Sequence, residues 1–268
     1  MCQSLQQSCS TKPSARETAD SLMKKFGLIG HPIAHSLSPA LFKAGYDGRY
    51  TYDLIEEESF EAAYSRFINE YDGINVTAPF KEQAFAKADI LSEECRAIGA
   101  ANILIKTPQG IEAHNSDYLG VRMWIQEVSG NDASKSVLVV GAGGAGKAAA
   151  AAAASLGMQT TIINRTMSKA AQWAENQGIY KYIIKPVEAF AEEFRRSDIV
   201  IYTLPVALPQ ISELDRSEIE GKKALLEANY KDPVLRGNGK LWLLYQAVTG
   251  YGLFTGEKPN LERMSDVI

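Results

Sequence analysis

Two polar clusters near the start of the chain hold side chains that could bind an anionic ligand. Ser36 and Ser38 stand two residues apart after an apolar run, so in an extended loop both hydroxyls could face one ligand carboxylate. Asn75, Thr77 and Lys81 follow a short predicted strand, at the end of a parallel sheet where ligands bind. A single lysine is more often a solvated surface charge, so a catalytic role for Lys81 needs further support.

A third cluster places Asn102 and Asp117 at the two ends of a predicted hairpin. Asp117 opens the helix that follows, so its carboxylate either caps that helix or faces a ligand. Ser38 has the same two interpretations. It precedes Pro39, a residue favoured at the first helical position, and we expect it to cap the helix over 38–46 as well.

A glycine-rich turn links the apolar run over 136–140 to an alanine-rich helix. Gly141, Gly143 and Gly146 form G-x-G-x-x-G, in which the first glycine permits a tight turn, the second lets the backbone approach a pyrophosphate, and the third lets helix and strand meet. The helix N-terminus offers free N–H groups to phosphate. A triphosphate-binding loop is the alternative, but Ala148 stands where that loop needs Ser or Thr for Mg²⁺.

The end of the following strand predicts which dinucleotide binds. An NAD site usually has an acidic residue there for the ribose 2′-hydroxyl, whereas this chain has Arg165 beside Asn164, Thr166 and Lys169. Two cations and a hydroxyl suit a 2′-phosphate, which favours NADP over NAD. The alternative is that Arg165 only covers the strand edge. The predicted cofactor-binding residues are Gly141, Ala142, Gly143, Gly144, Ala145, Asn164, Arg165, Thr166 and Lys169.

Alternating apolar runs and helical patterns predict an α/β protein made of two units. The longer helical patterns cover 81–98, 117–128 and 241–256. The first half follows β-α-β-α-β-α-β, which favours a mostly parallel sheet, and the second resembles a doubly wound nucleotide-binding arrangement. We predict a disordered polar tail over 1–22, an N-terminal mostly parallel α/β substrate-binding domain over 23–116 joined by C-terminal helices of 242–268, and a Rossmann-type dinucleotide-binding domain over 117–241.

Composition argues against several classes of protein. A net charge of −4 provides no basic field for nucleic acid, and no apolar run is long enough to span a bilayer. Cys2, Cys9 and Cys95 fit neither a disulfide framework nor a zinc site, so no metal is expected. Without the apolar core of a signal peptide, a cytoplasmic location is the default. We expect a small-molecule substrate as partner, and a monomer or a homodimer.

From Lys25 onward the chain resembles the shikimate dehydrogenase family. The family's HSxSP, NVTxPxK, GAxN and N-T/S-D patterns match residues 35–39, 75–81, 99–102 and 115–117, and GAGGA and NRTxxK follow in order. A tyrosine after a later strand matches Tyr230, and a Gln-Ala pair in the late helix matches Gln246 and Ala247. So many short motifs in the same order make a chance similarity implausible.

The resemblance implies NADPH-dependent reduction of 3-dehydroshikimate to shikimate, a step toward chorismate and the aromatic amino acids. Lys81 and Asp117 would form the catalytic pair in a cleft between the domains. The implied substrate ligands are Ser36 and Ser38 for the carboxylate, with Thr77, Asn102, Tyr230 and Gln246 for carboxylate and ring hydroxyls. Two alternatives remain, namely a relative that acts on quinate or a similar acid and a ligand sensor without turnover.

Several positions depart from the family pattern. The family often has His-Asn soon after the SxSP helix starts, whereas this chain has Phe42 and Lys43. Tyr202 and Leu204 lie in a segment where the family has N-x-T-P, and Leu241, followed by Trp242, replaces the glycine before the Met-Leu of the late helix. The resemblance places these changes where nicotinamide would sit. We therefore expect weaker cofactor binding, a shifted nicotinamide or an altered substrate preference.

Overall fold

The structure is a computed structural model that describes residues 24–221, 223–229, 232–235 and 239–268. The predicted tail over 1–22 lies outside these residues. The described chain forms two β-sheets, each covered by helices, so the prediction of an α/β fold is confirmed.

The first sheet has six strands in the order β2-β1-β3-β5-β6-β4. Its strands are β1 (Lys25–Gly30), β2 (Thr51–Glu56), β3 (Gly73–Val76), β4 (Ile90–Leu91), β5 (Ile103–Thr107) and β6 (Gly110–His114). β5 runs antiparallel to both of its neighbours, and the other pairs are parallel. The helices between these strands are α1 (Ser38–Tyr46), α2 (Phe60–Glu70), α3 (Lys81–Lys87) and α4 (Glu93–Ile98).

The second sheet has five strands in the order β11-β10-β7-β8-β9, and its pairs are parallel. Its strands are β7 (Ser136–Val140), β8 (Gln159–Ile163), β9 (Ile183–Lys185), β10 (Ile199–Tyr202) and β11 (Ala224–Glu227). The remaining α-helices are α5 (Ser116–Ser129), α6 (Gly144–Ser155), α7 (Met167–Gln177), α8 (Phe190–Arg196), α9 (Arg216–Ile219), α10 (Gly239–Thr255) and α11 (Leu261–Ser265). Strand order reverses at β7, as in a doubly wound nucleotide-binding sheet.

Two local predictions need correction, and a few short elements were missed. The helical stretch predicted over 81–98 is two helices, because β4 pairs with β6 between them and the Ser92 hydroxyl accepts a hydrogen bond from Cys95 N to start α4. The N-cap of α1 is Leu37, and Ser38 is already helical without a capping side chain. The short elements β9, α8 and α9 were not predicted.

Close backbone packing places α10 against α5, the helix that connects the two sheets. A Cβ on Gly120 of α5 would lie 2.5 Å from the Gln246 backbone nitrogen of α10, so only glycine permits this crossing. α10 begins at Gly239 and therefore runs across the domain boundary predicted at 242. Among the described helices, none has both the length and the apolar composition needed to cross a membrane.

Candidate active site

A cleft of about 320 Å³ opens where the loops after β1 and β3 face the start of α5 and α10. Its volume lies at the small end of the range for ligand pockets. The cleft gathers the predicted catalytic and substrate-binding residues that the structure describes. These are Ser36, Ser38, Thr77, Lys81, Asn102, Asp117 and Gln246. The eighth predicted residue, Tyr230, lies outside the described residues.

Lys81 and Asp117 form an ion pair across the cleft, with Lys81 Nζ 2.6 Å from Asp117 Oδ2. Lys81 is the first residue of α3, whereas Asp117 is the second residue of α5. The N-cap of α5 is Asn115, whose side chain accepts a hydrogen bond from Tyr118 N. Asp117 therefore does not cap its helix, and its carboxylate faces the lysine.

The Asp117 carboxylate is almost fully buried and accepts two further hydrogen bonds. Asn102 Nδ2 donates to Oδ2 at 3.1 Å, and Trp242 Nε1 donates to Oδ1 at 3.1 Å. Burial alone would raise the pKa of Asp117, but the charge of Lys81 and the three hydrogen bonds outweigh it and lower that pKa. The site thus holds an ionised carboxylate in a largely dry position.

The base of the hairpin holds Asn102 in place. Its side-chain Oδ1 accepts a hydrogen bond from Ser116 N at 2.7 Å, and its backbone N–H donates to His114 O at 3.0 Å. Asn102 therefore presents its amide N–H to Asp117 with a fixed orientation. The Ser116 hydroxyl donates to Gln246 Oε1 at 3.1 Å, which ties α5 to α10 at the edge of the cleft.

The two serines lie side by side, as their spacing predicted. Ser36 Oγ donates to Ser38 Oγ at 3.1 Å and accepts from Ser38 N at 3.2 Å. Since neither hydroxyl caps a helix, both can turn toward a ligand carboxylate in the cleft.

Further residues line the cleft beside the predicted ligands. Asn75 belongs to the second polar cluster of the sequence, whereas Tyr251 and Trp242 were not predicted as ligands. Asn75 lines the cleft with its Oδ1 bound by the Tyr52 hydroxyl at 2.7 Å, and Tyr251 lines it with its hydroxyl on Ser38 O at 3.0 Å. Trp242 also lines the cleft, four residues before Gln246. That spacing places both side chains on one helix face and could have identified Trp242, whereas no spacing signal identified Tyr251.

The glycine turn has the geometry that its pattern predicted. Gly141 has a φ of +103°, and a Cβ on Gly146 would lie 2.0 Å from Gly141 O, so neither position tolerates a side chain without movement. At Gly143 and Gly144 a Cβ would meet no atom within 4 Å. The backbone at the start of α6 is therefore open to a phosphate group.

The predicted 2′-phosphate residues divide into two groups. Asn164 holds the turn, because its Oδ1 accepts from Ala142 N at 3.2 Å and its Nδ2 donates to Thr166 O at 2.9 Å. Arg165, Thr166 and Lys169 expose their side chains beside that turn. The open turn and the adjacent cations fit NADP. Within the described chain, no group of three or more His, Cys, Asp or Glu side chains could hold a metal ion.

Tyr202 and Leu241 do not line the cleft. The Tyr202 ring is buried, and its hydroxyl donates to Val206 O at 2.8 Å and accepts from Leu208 N at 3.0 Å. Leu241 packs against the core around α5 and α6. Leu204 lies over the glycine turn, 2.8 Å from where a Cβ on Gly141 would stand. A ring at position 202 therefore does not crowd the cleft, while the expectation of weaker cofactor binding stays a prediction.

Two family models match the chain. One, described as the shikimate dehydrogenase substrate binding domain, matches residues 28–104. The other, described as shikimate / quinate 5-dehydrogenase, matches residues 124–224. The two matched segments correspond to most of the first sheet and most of the second.

Named relatives extend this similarity over most of the chain. The NADP(+) shikimate dehydrogenase of Acidiphilium cryptum is 32% identical over 253 residues, which cover 87% of this chain and 91% of that protein. That of Caldanaerobacter subterraneus is 32% identical over 263 residues, covering 89% and 94%. The crystal structure of shikimate 5-dehydrogenase from Thermus thermophilus with NADP(H) and shikimate has a TM-score of 0.77 at 27% identity, covering 91% and 98%. The chain therefore belongs to the shikimate dehydrogenase family.

Proposed function

We propose that this protein catalyses the NADPH-dependent reduction of 3-dehydroshikimate to shikimate and the reverse oxidation. The observation that carries the proposal is the partly buried Lys81–Asp117 ion pair, 2.6 Å apart, in a cleft that also presents paired serine hydroxyls. The reaction needs a site for a carboxylate, a proton donor beside a carbonyl oxygen and a place for NADP. The chain offers residues for each requirement.

The substrate carboxylate would bind at the loop after β1. Ser36 and Ser38 can each donate a hydrogen bond from their hydroxyl group to this carboxylate, since neither is needed to cap α1. Hydrogen bonds to a charged group are stronger than those between neutral groups. This anchor would set the orientation of the ring before reaction.

The far side of the ring would contact amide and hydroxyl groups. Thr77, Asn102 and Gln246 line the same cleft and can hydrogen-bond the ring hydroxyls. Tyr230 is proposed as a further substrate ligand on the resemblance alone. A site built from such hydrogen-bonding groups rejects analogues that lack the matching hydroxyl, because its buried polar groups would then be left unpaired.

Lys81 would supply the proton. Reduction of the ketone adds a hydride to the carbonyl carbon and leaves negative charge on its oxygen. An ammonium group at that oxygen stabilises the charge and donates the proton. Asp117 holds the Lys81 head in place, and its own orientation is set by Asn102 and Trp242.

NADP would supply or accept the hydride when bound. The start of α6 at Gly143 and Gly144 would receive its pyrophosphate, where the backbone has no side chain in front of it. Arg165 and Lys169 would pair with the 2′-phosphate. Asn164 would keep the turn in shape through its bond to Ala142 N.

We also propose that the two halves of the chain form domains with separate roles. Residues 23–116 with 242–268 would form the substrate-binding domain, and residues 117–241 the NADP-binding domain. A cytoplasmic location and a monomeric or homodimeric state stay predictions from the sequence.

Absorbance of the reduced cofactor tests the proposal directly. The protein is mixed with NADP⁺ or NAD⁺ and with shikimate or quinate, and kcat/KM is measured for each pair. We expect the highest value for shikimate with NADP⁺. Preference for quinate would support the alternative substrate, and absence of turnover with both acids would support a ligand sensor.

A further inference from the structure

The indole N–H of Trp242 donates a hydrogen bond to the Asp117 oxygen that Lys81 does not contact. Its Nε1 lies 3.1 Å from Asp117 Oδ1, whereas Lys81 and Asn102 both donate to Oδ2. The side chains of Lys81 and Trp242 differ in flexibility. A lysine head rotates freely on a four-carbon chain, but an indole is a rigid plane with one fixed donor.

Packing sets the position of that indole. Trp242 is 7% exposed and belongs to the core around α5 and α6, together with Tyr118, Val121 and Tyr245. It stands one helical turn before Gln246, whose backbone contacts Gly120 where α10 crosses α5. The ring is therefore held by the same helix pair that carries Asp117.

We propose that Trp242 is a positioning residue for the Lys81–Asp117 pair, which fixes the plane of the Asp117 carboxylate so that Oδ2 faces the Lys81 ammonium. The inference rests on the proposed reaction, because it assigns the pair its catalytic role. Without the indole N–H, Oδ1 would lose its protein donor among the described residues and the carboxylate could rotate. Lys81 would then spend less time at the position from which it donates its proton.

Trp173 offers a matched control within the same chain. It is 9% exposed, a value close to that of Trp242, but its buried Nε1 has no hydrogen-bond partner among the described residues. Replacing either tryptophan by phenylalanine removes the same atoms from a buried position. Only the change at Trp242 removes a hydrogen bond to a catalytic carboxylate.

Kinetics of the two variants separate positioning from packing. We expect Trp242→Phe to lower kcat about 10- to 150-fold, the range for one hydrogen bond to a charged group, with a smaller change in KM for shikimate. The indole N–H also helps to lower the pKa of Asp117, so its loss should move the acid limb of the kcat profile to higher pH. Trp173→Phe should change neither. An unchanged kcat and acid limb in Trp242→Phe, or equal losses in both variants, would overturn the proposal.

A spectroscopic measurement keeps the proposal testable if Trp242→Phe fails to fold. The chain has three tryptophans, so ¹⁵N-tryptophan labelling gives three indole N–H signals, which Trp124→Phe and Trp173→Phe assign. Asp117→Ala should move the Trp242 indole proton upfield and leave the Trp173 signal in place. A Trp242 signal that does not respond to Asp117→Ala would overturn the proposal. This result is independent of turnover, so wild-type activity with shikimate separately decides the proposed function.

Discussion

In the loop after β1, the turn of the backbone brings the hydroxyls of Ser36 and Ser38 within hydrogen-bond distance of each other. Ser38 N donates to Ser36 Oγ, and Ser36 Oγ donates to Ser38 Oγ. A ligand carboxylate can replace this internal hydrogen bond with two charge-assisted ones. The contribution of the pair should therefore appear in substrate binding more than in the chemical step.

Ser36→Ala should therefore raise KM for shikimate and change kcat much less. The lost contact exists both before and during reaction, and such a loss acts on binding. We expect a rise in KM of about 10-fold or more, as for one hydrogen bond to a charged group. Steady-state kinetics beside Ser65→Ala, an exposed serine on α2, provide the control. A fall in kcat without a rise in KM would contradict the assignment.

Arg165→Ala should weaken NADPH binding far more than NADH binding. Arg165 is exposed beside the glycine turn, and only NADPH carries the 2′-phosphate that it would contact. We expect a loss of about 10- to 150-fold for NADPH, the equivalent of one charge-assisted hydrogen bond. Calorimetric titration with both cofactors measures it. Equal losses for the two would show that Arg165 does not contact the 2′-phosphate.

Residue types and spacing predicted most of the polar residues that line the cleft, because these residues directly follow strands in the sequence. Ser36, Ser38, Thr77 and Lys81 sit in loops and helix starts that follow strands, where sequence order dictates position. The role of Trp242 depends on how α10 crosses α5, a contact between residues far apart in the chain. The distance from the Trp242 indole to Asp117 cannot be predicted from the order of residues in the sequence.

At the scale of elements, the glycine turn shows how a side chain would break a strand–helix connection. Gly146 of α6 lies over Gly141, and a Cβ there would stand 2.0 Å from Gly141 O and 3.0 Å from Thr203 Oγ1. The first of these contacts is with backbone, which cannot move aside without changing the turn. At Gly144 the same added atom would meet nothing within 4 Å.

Gly146→Ala should lower the free energy of unfolding, whereas Gly144→Ala should not. Overpacking costs about 1–3 kcal/mol, more than the roughly 0.5–1 kcal/mol by which alanine favours a helix over glycine. Urea unfolding of both variants gives the comparison. Equal stability of the two would mean that the turn relaxes without cost.

The hairpin that ends at Asp117 contains a second pH-sensitive group. His114 on β6 lies between Glu94 and Glu112, with ring nitrogens 3.1 Å from each carboxylate. Burial would lower the pKa of His114, but hydrogen bonds and charges from Glu94 and Glu112 raise it above its ordinary 6.5. Because the folded pKa is raised, this contribution to stability is full below the unfolded pKa and is lost as pH rises through the folded one.

His114→Gln should therefore destabilise the protein most at slightly acidic pH. The difference in unfolding free energy from wild type should shrink as pH rises from about 6 to about 9. Denaturant unfolding at several pH values measures it. A difference that grows with pH would reverse the sign and contradict the arrangement of charges around His114.

Element predictions succeeded where periodicity ran for many residues and failed where it was short. α5 and α10 were predicted nearly at their observed bounds, since each has a long helical pattern. β4 has two residues, Ile90 and Leu91, and owes its strand conformation to pairing with β6. The sequence of so short a segment does not predict pairing with a strand farther along the chain.

At the scale of the molecule, the proposed catalytic pair, Lys81 and Asp117, joins elements from different parts of the chain. Lys81 starts the helix after β3, and Asp117 lies in α5, which leads into the second sheet. α10 then returns across α5 at Gly120 and brings Gln246 to the cleft. The proposed chemistry at Lys81 therefore depends on the arrangement of the whole molecule.

The kcat of Lys81→Ala with shikimate and NADP⁺ tests the central claim most directly, measured beside wild type and Lys87→Ala. Lys87 ends the same helix but pairs with Glu61 at the surface, so its loss should leave turnover near the wild-type value. In this direction, the oxidation of shikimate, Lys81 would accept the proton that it donates in the reduction. For Lys81→Ala we predict a fall in kcat of about 10²- to 10⁴-fold, the range for a positioned general acid or base. A near-normal kcat in folded Lys81→Ala would contradict the account.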